Sequence, residues 1–300
     1  MSWIELAVTS RYPEFAEEVL LAQGAISTSF TDAADDPILE PEPGATPLWR
    51  QTTARGLFAP ATDLEAVRAA LRELLPDGAA LHFEERLLED QDWIKAWLQY
   101  AKPLRFGAEG RPGLWICPTG FKVEEADATI VRLDPGLAFG TGTHQSTALC
   151  LDWIARHQIQ GLRVLDYGCG SGILAIAALK RGAAQAHAVD IDPQALTAAA
   201  GNAQLNEVAS RLICASVEQF GEQPVDQTVD IVFANILARP LLALAPRLAH
   251  CLRPGGNIVL AGVLDSQAQE LRETYAPWFD FEDDVLRENW ARLSGVKRRM

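Results

Sequence analysis

The sequence lacks the features of membrane proteins and of secreted proteins held together by disulfides. Its 300 residues contain no run of ~18 apolar residues, and the N-terminus has no basic segment followed by an apolar one. Cysteine is scarce, with five residues, an odd number, and no C-x-x-C pair. Neither a disulfide framework nor a metal site is therefore expected. These absences predict a soluble, cytoplasmic protein that does not associate with a membrane.

Positive charge is also scarce, above all at the front of the chain. The net charge is −14, and residues 1–100 hold 18 of the 40 acidic residues but only 7 of the 26 basic ones. A nucleic-acid surface needs the opposite sign, because phosphate contacts dominate such binding, so no direct nucleic-acid binding is expected. Two interpretations of the acidic front stay open: it attracts a basic protein partner, or it only keeps the protein soluble.

The most informative stretch is residues 164–172, VLDYGCGSG, which an apolar helix-forming run follows. This pattern predicts a strand, a tight turn and a helix. Glycine lets the backbone turn sharply and lets a ligand approach, while the start of the helix offers unpaired N–H groups. The spacing D-x-G-x-G-x-G differs from the dinucleotide pattern G-x-G-x-x-G. It resembles the first motif of class I methyltransferases, which bind S-adenosylmethionine. We interpret Cys169 as a small residue that fits the turn rather than as a nucleophile.

Three further side chains are expected near this turn. Asp190 ends the next apolar run, 22 residues after Gly168, where a carboxylate on the neighbouring strand can accept hydrogen bonds from both hydroxyls of a ribose. Asn235 ends the fourth predicted strand, at the sheet edge where ligands bind; the alternative is that it only orders the turn. Thr147 follows a predicted N-cap at Thr143, and its hydroxyl is expected to face either the ligand or the preceding turn.

The front of the chain predicts a small α+β domain. The pattern over residues 1–89 gives the order β-α-β-β-α-β, the ferredoxin-like arrangement. Residues 90–128 are expected to form a helical and extended linker. Its Trp93 and Trp97 lie four residues apart on one helix face, and packing is the favoured role for such a pair over ligand stacking.

The remainder of the chain predicts a larger α/β domain over residues 129–300. Strands and helices alternate there, which is typical of a doubly wound, mostly parallel sheet. The end of the chain differs, because residues 279–286 and 290–296 predict an antiparallel hairpin at the sheet edge. We interpret His144, at a helix start, as a local hydrogen-bonding residue rather than as a proton shuttle.

Four segments together resemble one known family. They are LDPGLAFGTGTHQST, VLDYGCGSGILAIAALKRGA, VDIDPQAL and ANILA, and they are similar to the bacterial methyltransferases that modify ribosomal large-subunit protein eleven, the PrmA family. The resemblance runs over most of residues 129–300. One departure is CPTGF at residues 117–121, where the family pattern has a serine and a tryptophan after the proline.

The resemblance implies a protein-lysine N-methyltransferase that uses S-adenosylmethionine. Its substrate is then ribosomal protein eleven, trimethylated on lysine side chains and on the N-terminal amine, and the front domain recognises that protein. The resemblance also implies cofactor contacts at Thr147, Gly168, Asp190 and Asn235. No metal site is expected, as the cysteine pattern already indicates, and the sequence leaves the oligomeric state open.

Methylation of an amine sets a chemical requirement for the site. A lysine ammonium has a pKa of ~10.4 and no lone pair, and a cationic cofactor repels it. No convincing general base is found in the sequence. Our hypothesis is that desolvation and the neighbouring sulfonium shift the amine toward neutrality, while Asn235 and backbone carbonyls align it with the methyl group.

Three other functions are weighed against this one. The glycine spacing disfavours a nicotinamide oxidoreductase. A nucleic-acid amino-methyltransferase usually has an aromatic residue after the strand-four asparagine, as in N-P-P-Y, whereas Ile236 and Leu237 follow here. A non-catalytic adaptor that binds the ribosomal protein and senses the cofactor is disfavoured by the intact glycine turn and by Asn235.

Overall fold

In a computed structural model, the chain divides into two compact units, residues 1–96 and residues 97–300. The structure describes residues 2–34, 38, 47–77, 80–88, 102–133, 142–221 and 228–299. Trp93 and Trp97, with the predicted linker helix, lie outside the described residues, as do residues 134–141. The predicted domain boundaries at residues 89/90 and 128/129 stay a prediction.

The described residues of the first unit form a four-stranded antiparallel sheet with two helices. Its sheet order is β2-β3-β1-β4, the ferredoxin-like order that the sequence predicts. Leu6, Val8 and Phe58 of the sheet share one core with Leu20 and Leu71 of the helices. The elements are β1 (Trp3–Ser10), α1 (Pro13–Ala22), β2 (Ser27–Asp32), β3 (Thr52–Phe58), α2 (Leu64–Leu74) and β4 (His82–Leu88).

Helix α2 forms because its apolar residues recur at helical spacing and its first turn is capped. Leu64, Val67 and Leu71 are buried on one face. The Asp63 carboxylate accepts hydrogen bonds from the backbone N–H groups of Glu65 and Ala66, at 3.1 and 3.2 Å. Two of the N–H groups that a helix start leaves without partners are thereby satisfied.

Loss of this cap is expected to weaken the first unit measurably. Asp63→Ala is expected to lower the free energy of unfolding of α2 by about 1 kcal/mol, the usual effect of removing an N-cap side chain. Hydrogen exchange of the α2 amides, followed by mass spectrometry, measures the change. Asp63→Ser keeps an acceptor at the cap and serves as the control. Equal exchange rates in Asp63→Ala and the native protein would contradict the expectation.

The second unit contains two sheets. The small one has the order β5-β6-β7, and the large one has the order β10-β9-β8-β11-β12-β15-β13, with β14 paired to β15. The strands are β5 (Leu104–Phe106), β6 (Leu114–Cys117), β7 (Thr129–Arg132), β8 (Arg163–Tyr167), β9 (Gln185–Asp190), β10 (Leu212–Ser216), β11 (Val229–Asn235), β12 (Leu252–Leu264), β13 (Phe279–Phe281), β14 (Val285–Arg287) and β15 (Trp290–Lys297).

Helices connect the strands of the large sheet. They are α3 (Gln145–Arg156), α4 (Ile173–Lys180), α5 (Pro193–Leu205), α6 (Val217–Gly221), α7 (Ala238–Cys251) and α8 (Asp265–Tyr275), with a 3-10 turn at Ala209–Arg211. Strands β8 to β12 pair in parallel, and β15 pairs antiparallel with β12. The predicted mostly parallel, doubly wound sheet with an antiparallel end is confirmed. None of the described helices is both long enough and apolar enough to cross a membrane.

Both faces of the large sheet are covered, which is why its central strands are apolar almost throughout. In β11, Ile231 and Phe233 belong to one buried cluster, whereas Val232 and Ala234 belong to another. Neighbouring residues of a strand point to opposite faces, so the two clusters are the two layers beside the sheet.

The C-terminal hairpin differs from the prediction in one respect. The predicted strand over residues 279–286 is two short strands, β13 and β14, and both pair with β15. Three consecutive acidic residues separate them, Glu282, Asp283 and Asp284. The Asp284 carboxylate forms an ion pair with Arg272 of α8, so the chain leaves the strand direction there.

Candidate functional site

A cavity of about 1160 Å³ lies at the carboxyl ends of β8, β9 and β11. Ligands of doubly wound sheets bind at this edge, where successive connections leave a central strand in opposite directions. All four predicted site residues line the cavity: Thr147, Gly168, Asp190 and Asn235. The structure thus brings together residues that are up to 88 positions apart in the sequence.

The glycine turn after β8 has a backbone that only glycine adopts easily. Gly168, Gly170 and Gly172 have φ values of +77°, +51° and +76°. The N–H of Gly168 donates to the carbonyl oxygen of Val189 at 2.7 Å, which ties the turn to β9. A Cβ atom at residue 168 would lie 2.2 Å from Cγ2 of Ile236. A side chain is therefore excluded at this position on steric grounds as well.

Asp190 holds the glycine turn and also faces the cavity. Its Oδ2 accepts from the Gly170 N–H at 2.9 Å, and its Oδ1 accepts from the Asp192 N–H at 3.0 Å. Each carboxylate oxygen can accept a further hydrogen bond. The N-cap of α5 is Asp192 instead, which accepts from the Gln194 N–H at 2.8 Å. Asp190 is therefore free of a capping role and available to a ligand.

Asn235 and Thr147 contact each other directly. Nδ2 of Asn235 donates to Oγ1 of Thr147 at 3.1 Å. Of the two expectations for the Thr147 hydroxyl, this contact favours the one in which it faces the site, because its hydrogen bond is to Asn235 rather than to the preceding turn. This donation uses the amide nitrogen of Asn235, a residue that lines the cavity, and leaves its carbonyl oxygen able to accept a hydrogen bond.

The first turn of α3 corrects one prediction. The N-cap is His144, not Thr143, and the helix begins at Gln145. The His144 ring accepts at Nδ1 from the Ser146 N–H at 3.3 Å, so an imidazole nitrogen takes the place of the expected hydroxyl oxygen. The interpretation of His144 as a local hydrogen-bonding residue is confirmed. Thr143 still lines the cavity.

Asp166 is a site residue that the sequence analysis missed. It is 1% exposed, and its Oδ2 accepts from the Ala175 N–H at 3.0 Å. Its Oδ1 has no hydrogen-bond partner in the described part of the chain, although Asp166 lines the cavity. A buried acceptor without a donor is costly, so this oxygen fits a ligand that brings a donor or a positive charge. The available signal was its place as the acid that begins D-x-G-x-G-x-G.

Burial also sets the protonation of the groups around the turn. Burial raises the pKa of Asp166 to about 7, the Ala175 N–H opposes the rise, and the charge of Asp190 adds to it. Burial and the two neighbouring carboxylates raise the pKa of the Cys169 thiol well above its usual range. A thiol that stays protonated is a poor nucleophile, in agreement with the interpretation of Cys169 as a small turn residue.

Trp290, the first residue of β15, is a second cavity residue that the sequence did not indicate. Its ring packs edge-to-face on His144, with the ring centroids 4.5 Å apart. Nothing in the local sequence distinguishes this tryptophan from a core residue. Over the described ranges, no group of three or more His, Cys, Asp or Glu residues is arranged to hold a metal ion.

Comparison with known proteins gives a consistent result over both units. Residues 2–298 match the family model described as ribosomal protein L11 methyltransferase (PrmA). The chain is similar to the ribosomal protein L11 methyltransferases of Methylococcus capsulatus, with 50% identity over 299 residues and 99% of each chain covered, and of Shewanella amazonensis, with 42% identity over 302 residues and 100% of each covered. It is also similar to a solved ribosomal protein L11 methylase from Lactobacillus delbrueckii subsp. bulgaricus, with 34% identity, a TM-score of 0.57, and 62% of this chain and 95% of that chain covered.

Proposed function

Since this chain belongs to the ribosomal protein L11 methyltransferase family, we propose that its cavity is where methyl groups pass from S-adenosylmethionine to amines of ribosomal protein L11. The acceptors are lysine side chains and the N-terminal amine, and each receives up to three methyl groups. The observation that carries this proposal is the shared cavity: the glycine turn, two carboxylates and the Asn235–Thr147 pair meet in one space.

The residues around the cavity fit the parts of S-adenosylmethionine. The cofactor has a ribose with two hydroxyls, an α-ammonium, a carboxylate and a sulfonium, and it supplies the electrophilic methyl group when it is bound. Asp190 offers two oxygens to the ribose hydroxyls. The unpartnered Oδ1 of Asp166 fits the α-ammonium, since a buried carboxylate needs a positive partner. Gly168 lines the cavity and has no side chain that would shield its backbone, so the cofactor can approach it closely.

Asn235 and Thr147 are the residues that we assign to the amine. The Asn235 oxygen accepts an N–H of the incoming amine and so directs the nitrogen lone pair. Thr147 accepts from the Asn235 amide nitrogen, which restricts the carboxamide and leaves its oxygen for the amine. Apolar side chains such as Ile173 and Leu244 line the same space. Their low polarity lowers the pKa of a lysine ammonium, which favours entry of the neutral amine.

We assign recognition of the ribosomal protein to the first unit. The acidic residues over-represented in residues 1–100 complement a basic protein substrate and speed its encounter with the enzyme. The same charge disfavours a nucleic-acid acceptor. A substrate that belongs to the ribosome supports a cytoplasmic location for the reaction.

Methyl transfer from labelled S-adenosylmethionine tests this function. Free ribosomal protein L11 and ribosomal RNA are offered in parallel, and intact mass is recorded for the protein. We expect mass steps of one methyl group on the protein alone. Label in the RNA would overturn the substrate, and label in neither acceptor, with the cofactor still bound, would make the protein an adaptor rather than an enzyme.

The assignment of Asp166 predicts a pH dependence of cofactor binding. The ionised carboxylate pairs with the ammonium, and its pKa before binding is about 7. Cofactor affinity is therefore expected to be full above pH 7 and to fall as pH drops below 7, approaching about tenfold per pH unit. Titration calorimetry from pH 5.5 to 8.5 measures this. Asp166→Asn is expected to bind more weakly and to lose the dependence.

Asp166 is expected to have the opposite pH dependence in its effect on the folding stability of the cofactor-free protein. The pKa of Asp166 is higher in the folded protein than in the unfolded chain, where it is ~3.9. The folded state then binds more protons between these values, so its stability falls as pH rises from 4 to 7. Asp166→Asn removes this contribution. Asp192→Asn, at the exposed cap of α5, is the control expected to keep both pH dependences, and an unchanged profile in Asp166→Asn would contradict the assignment.

A further inference from the structure

Strand β12 carries an irregularity at Gly262, next to the cavity. Its pairing with β15 shifts register between Leu260 and Val263. Gly262 lies within this shift and has a φ of +80°, which side chains with L chirality rarely adopt. Gly262 also lines the cavity. Strand irregularities of this kind re-aim neighbouring groups and are common beside active sites.

Asn235 and Ile236 occupy the space that a side chain at residue 262 would fill. A Cβ atom there would lie 3.0 Å from Oδ1 of Asn235 and 2.6 Å from the carbonyl oxygen of Ile236. The parallel pairing of β11 with β12 places Asn235 beside Ala261, so Gly262 is the next residue along. The missing side chain leaves room for the Asn235 oxygen and for the peptide that follows it.

Asn235 is thus held from two sides. On one side, Oγ1 of Thr147 accepts from its Nδ2 at 3.1 Å. On the other side, its Oδ1 lies 3.0 Å from the position that a Cβ atom at residue 262 would take. Ile236 also occupies such spaces, because a Cβ atom at residue 168 would lie 2.2 Å from its Cγ2 and one at residue 262 would lie 2.6 Å from its carbonyl oxygen. Gly168 and Gly262, which both have a positive φ, therefore lie on either side of residues 235 and 236 and leave them space.

We propose that Gly262 is a positioning residue for methyl transfer, because the absence of a side chain at this irregularity sets the direction of the Asn235 amide oxygen. Thr147 holds the nitrogen end of the carboxamide by a hydrogen bond, and the absence of a Cβ atom at Gly262 leaves the oxygen end the space it occupies. Gly262 itself touches neither the methyl group nor the amine. This inference rests on the role proposed above for Asn235.

A matched pair of glycine variants separates this effect from backbone strain. Gly255 also lies in β12, with a φ of +76°, but a Cβ atom there would meet nothing closer than 3.8 Å. Gly255→Ala therefore introduces the strain without the contact to Asn235. Gly262→Ala is expected to lower kcat by about 10- to 100-fold, with the Kd for S-adenosylmethionine changed less than about threefold. Gly255→Ala is expected to keep kcat.

A double-mutant cycle with Asn235→Ala tests whether Gly262 acts through Asn235. If it does, Gly262→Ala costs little further activity once the carboxamide is gone, so the double variant turns over about as fast as Asn235→Ala alone. If the two variants' losses of kcat instead multiply in the double variant, the positioning role of Gly262 is overturned, whereas the proposed role of Asn235 stands. Wild-type kcat in Asn235→Ala would instead overturn the role of Asn235 itself, so the two failures are distinguishable.

Asn235→Gln provides a test that does not depend on a strained backbone. It keeps Gly262 and the amide group but moves the amide oxygen by one methylene, away from the space beside Gly262. We expect a loss of kcat close to that of Gly262→Ala, with the Kd for S-adenosylmethionine retained. A native kcat in Asn235→Gln would overturn the proposal, even if Gly262→Ala failed to fold.

Discussion

Asn235→Ala is expected to lower kcat for methylation of ribosomal protein L11 by about 10²-fold or more, because a misaligned amine seldom reaches the geometry for transfer. The Kd for S-adenosylmethionine is expected to rise at most about tenfold, the effect of one lost hydrogen bond. The imbalance follows from the role proposed for the carboxamide, whose nitrogen donates to Thr147 at 3.1 Å while its oxygen is left for the amine. Single-turnover kinetics at saturating cofactor measure the first quantity and titration calorimetry the second.

Thr147 supplies the controls for this experiment. Thr147→Ser keeps the hydroxyl that accepts from Asn235, and we expect it to retain most of the activity. Thr147→Val keeps the shape of the side chain but removes the acceptor, so the carboxamide loses its fixed plane and kcat is expected to fall about tenfold. A wild-type kcat in Asn235→Ala would show that the amine is aligned by other groups.

Gly168→Ala is expected to have the largest effect on cofactor binding. The substitution brings a Cβ atom to 2.2 Å from Cγ2 of Ile236 and forces a side chain into a φ of +77°. Either the Ile236 side chain or the glycine turn must shift, and both belong to the wall of the cavity. We expect the Kd for S-adenosylmethionine to rise at least ~10²-fold, a loss of about 2.7 kcal/mol, and the melting temperature to fall.

Gly161→Ala is the matched control for the glycine turn. Gly161 has the same φ of +77°, but nothing lies within 4 Å of the position of its Cβ atom. Its substitution therefore isolates the cost of the backbone conformation, about 1–2 kcal/mol of stability. Cofactor affinity in Gly161→Ala is expected to be native. An equal loss of affinity in both variants would contradict the steric argument and attribute the effect to general destabilisation.

Local sequence was sufficient to predict the parts of the site that belong to continuous patterns. The turn at Gly168 and the carboxylate of Asp190 follow from a strand, a turn and a second strand that are adjacent in the sequence. Strand order also placed Asn235 at the right edge, since the carboxyl ends of parallel strands meet there. The direct contact of Asn235 with Thr147 depends on the packing of α3 beside β11, which no local pattern specifies.

The roles of some residues could not be predicted because they depend on contacts that only the folded structure shows. Asp166 was recognised as part of a motif, but that its Oδ1 has no partner among the described residues is a property of the folded surroundings. Gly262 interrupts a strand pattern, and only the register of β12 against β15 shows what it contacts. His144 displaced Thr143 as the cap because a histidine ring nitrogen accepts a backbone hydrogen bond as a hydroxyl does.

The insertion of β15 between β12 and β13 has a consequence for biosynthesis. Translation produces β15 after every other strand of the large sheet. Yet β15 pairs with one edge of β12, a strand whose Ile258, Val259 and Leu260 are fully buried. A nascent chain that ends before residue 290 therefore presents an unpaired apolar strand edge and lacks Trp290 in the cavity wall. The growing polypeptide is thus prone to association until β15 has left the ribosome, and the wall of the cavity is completed only at that moment.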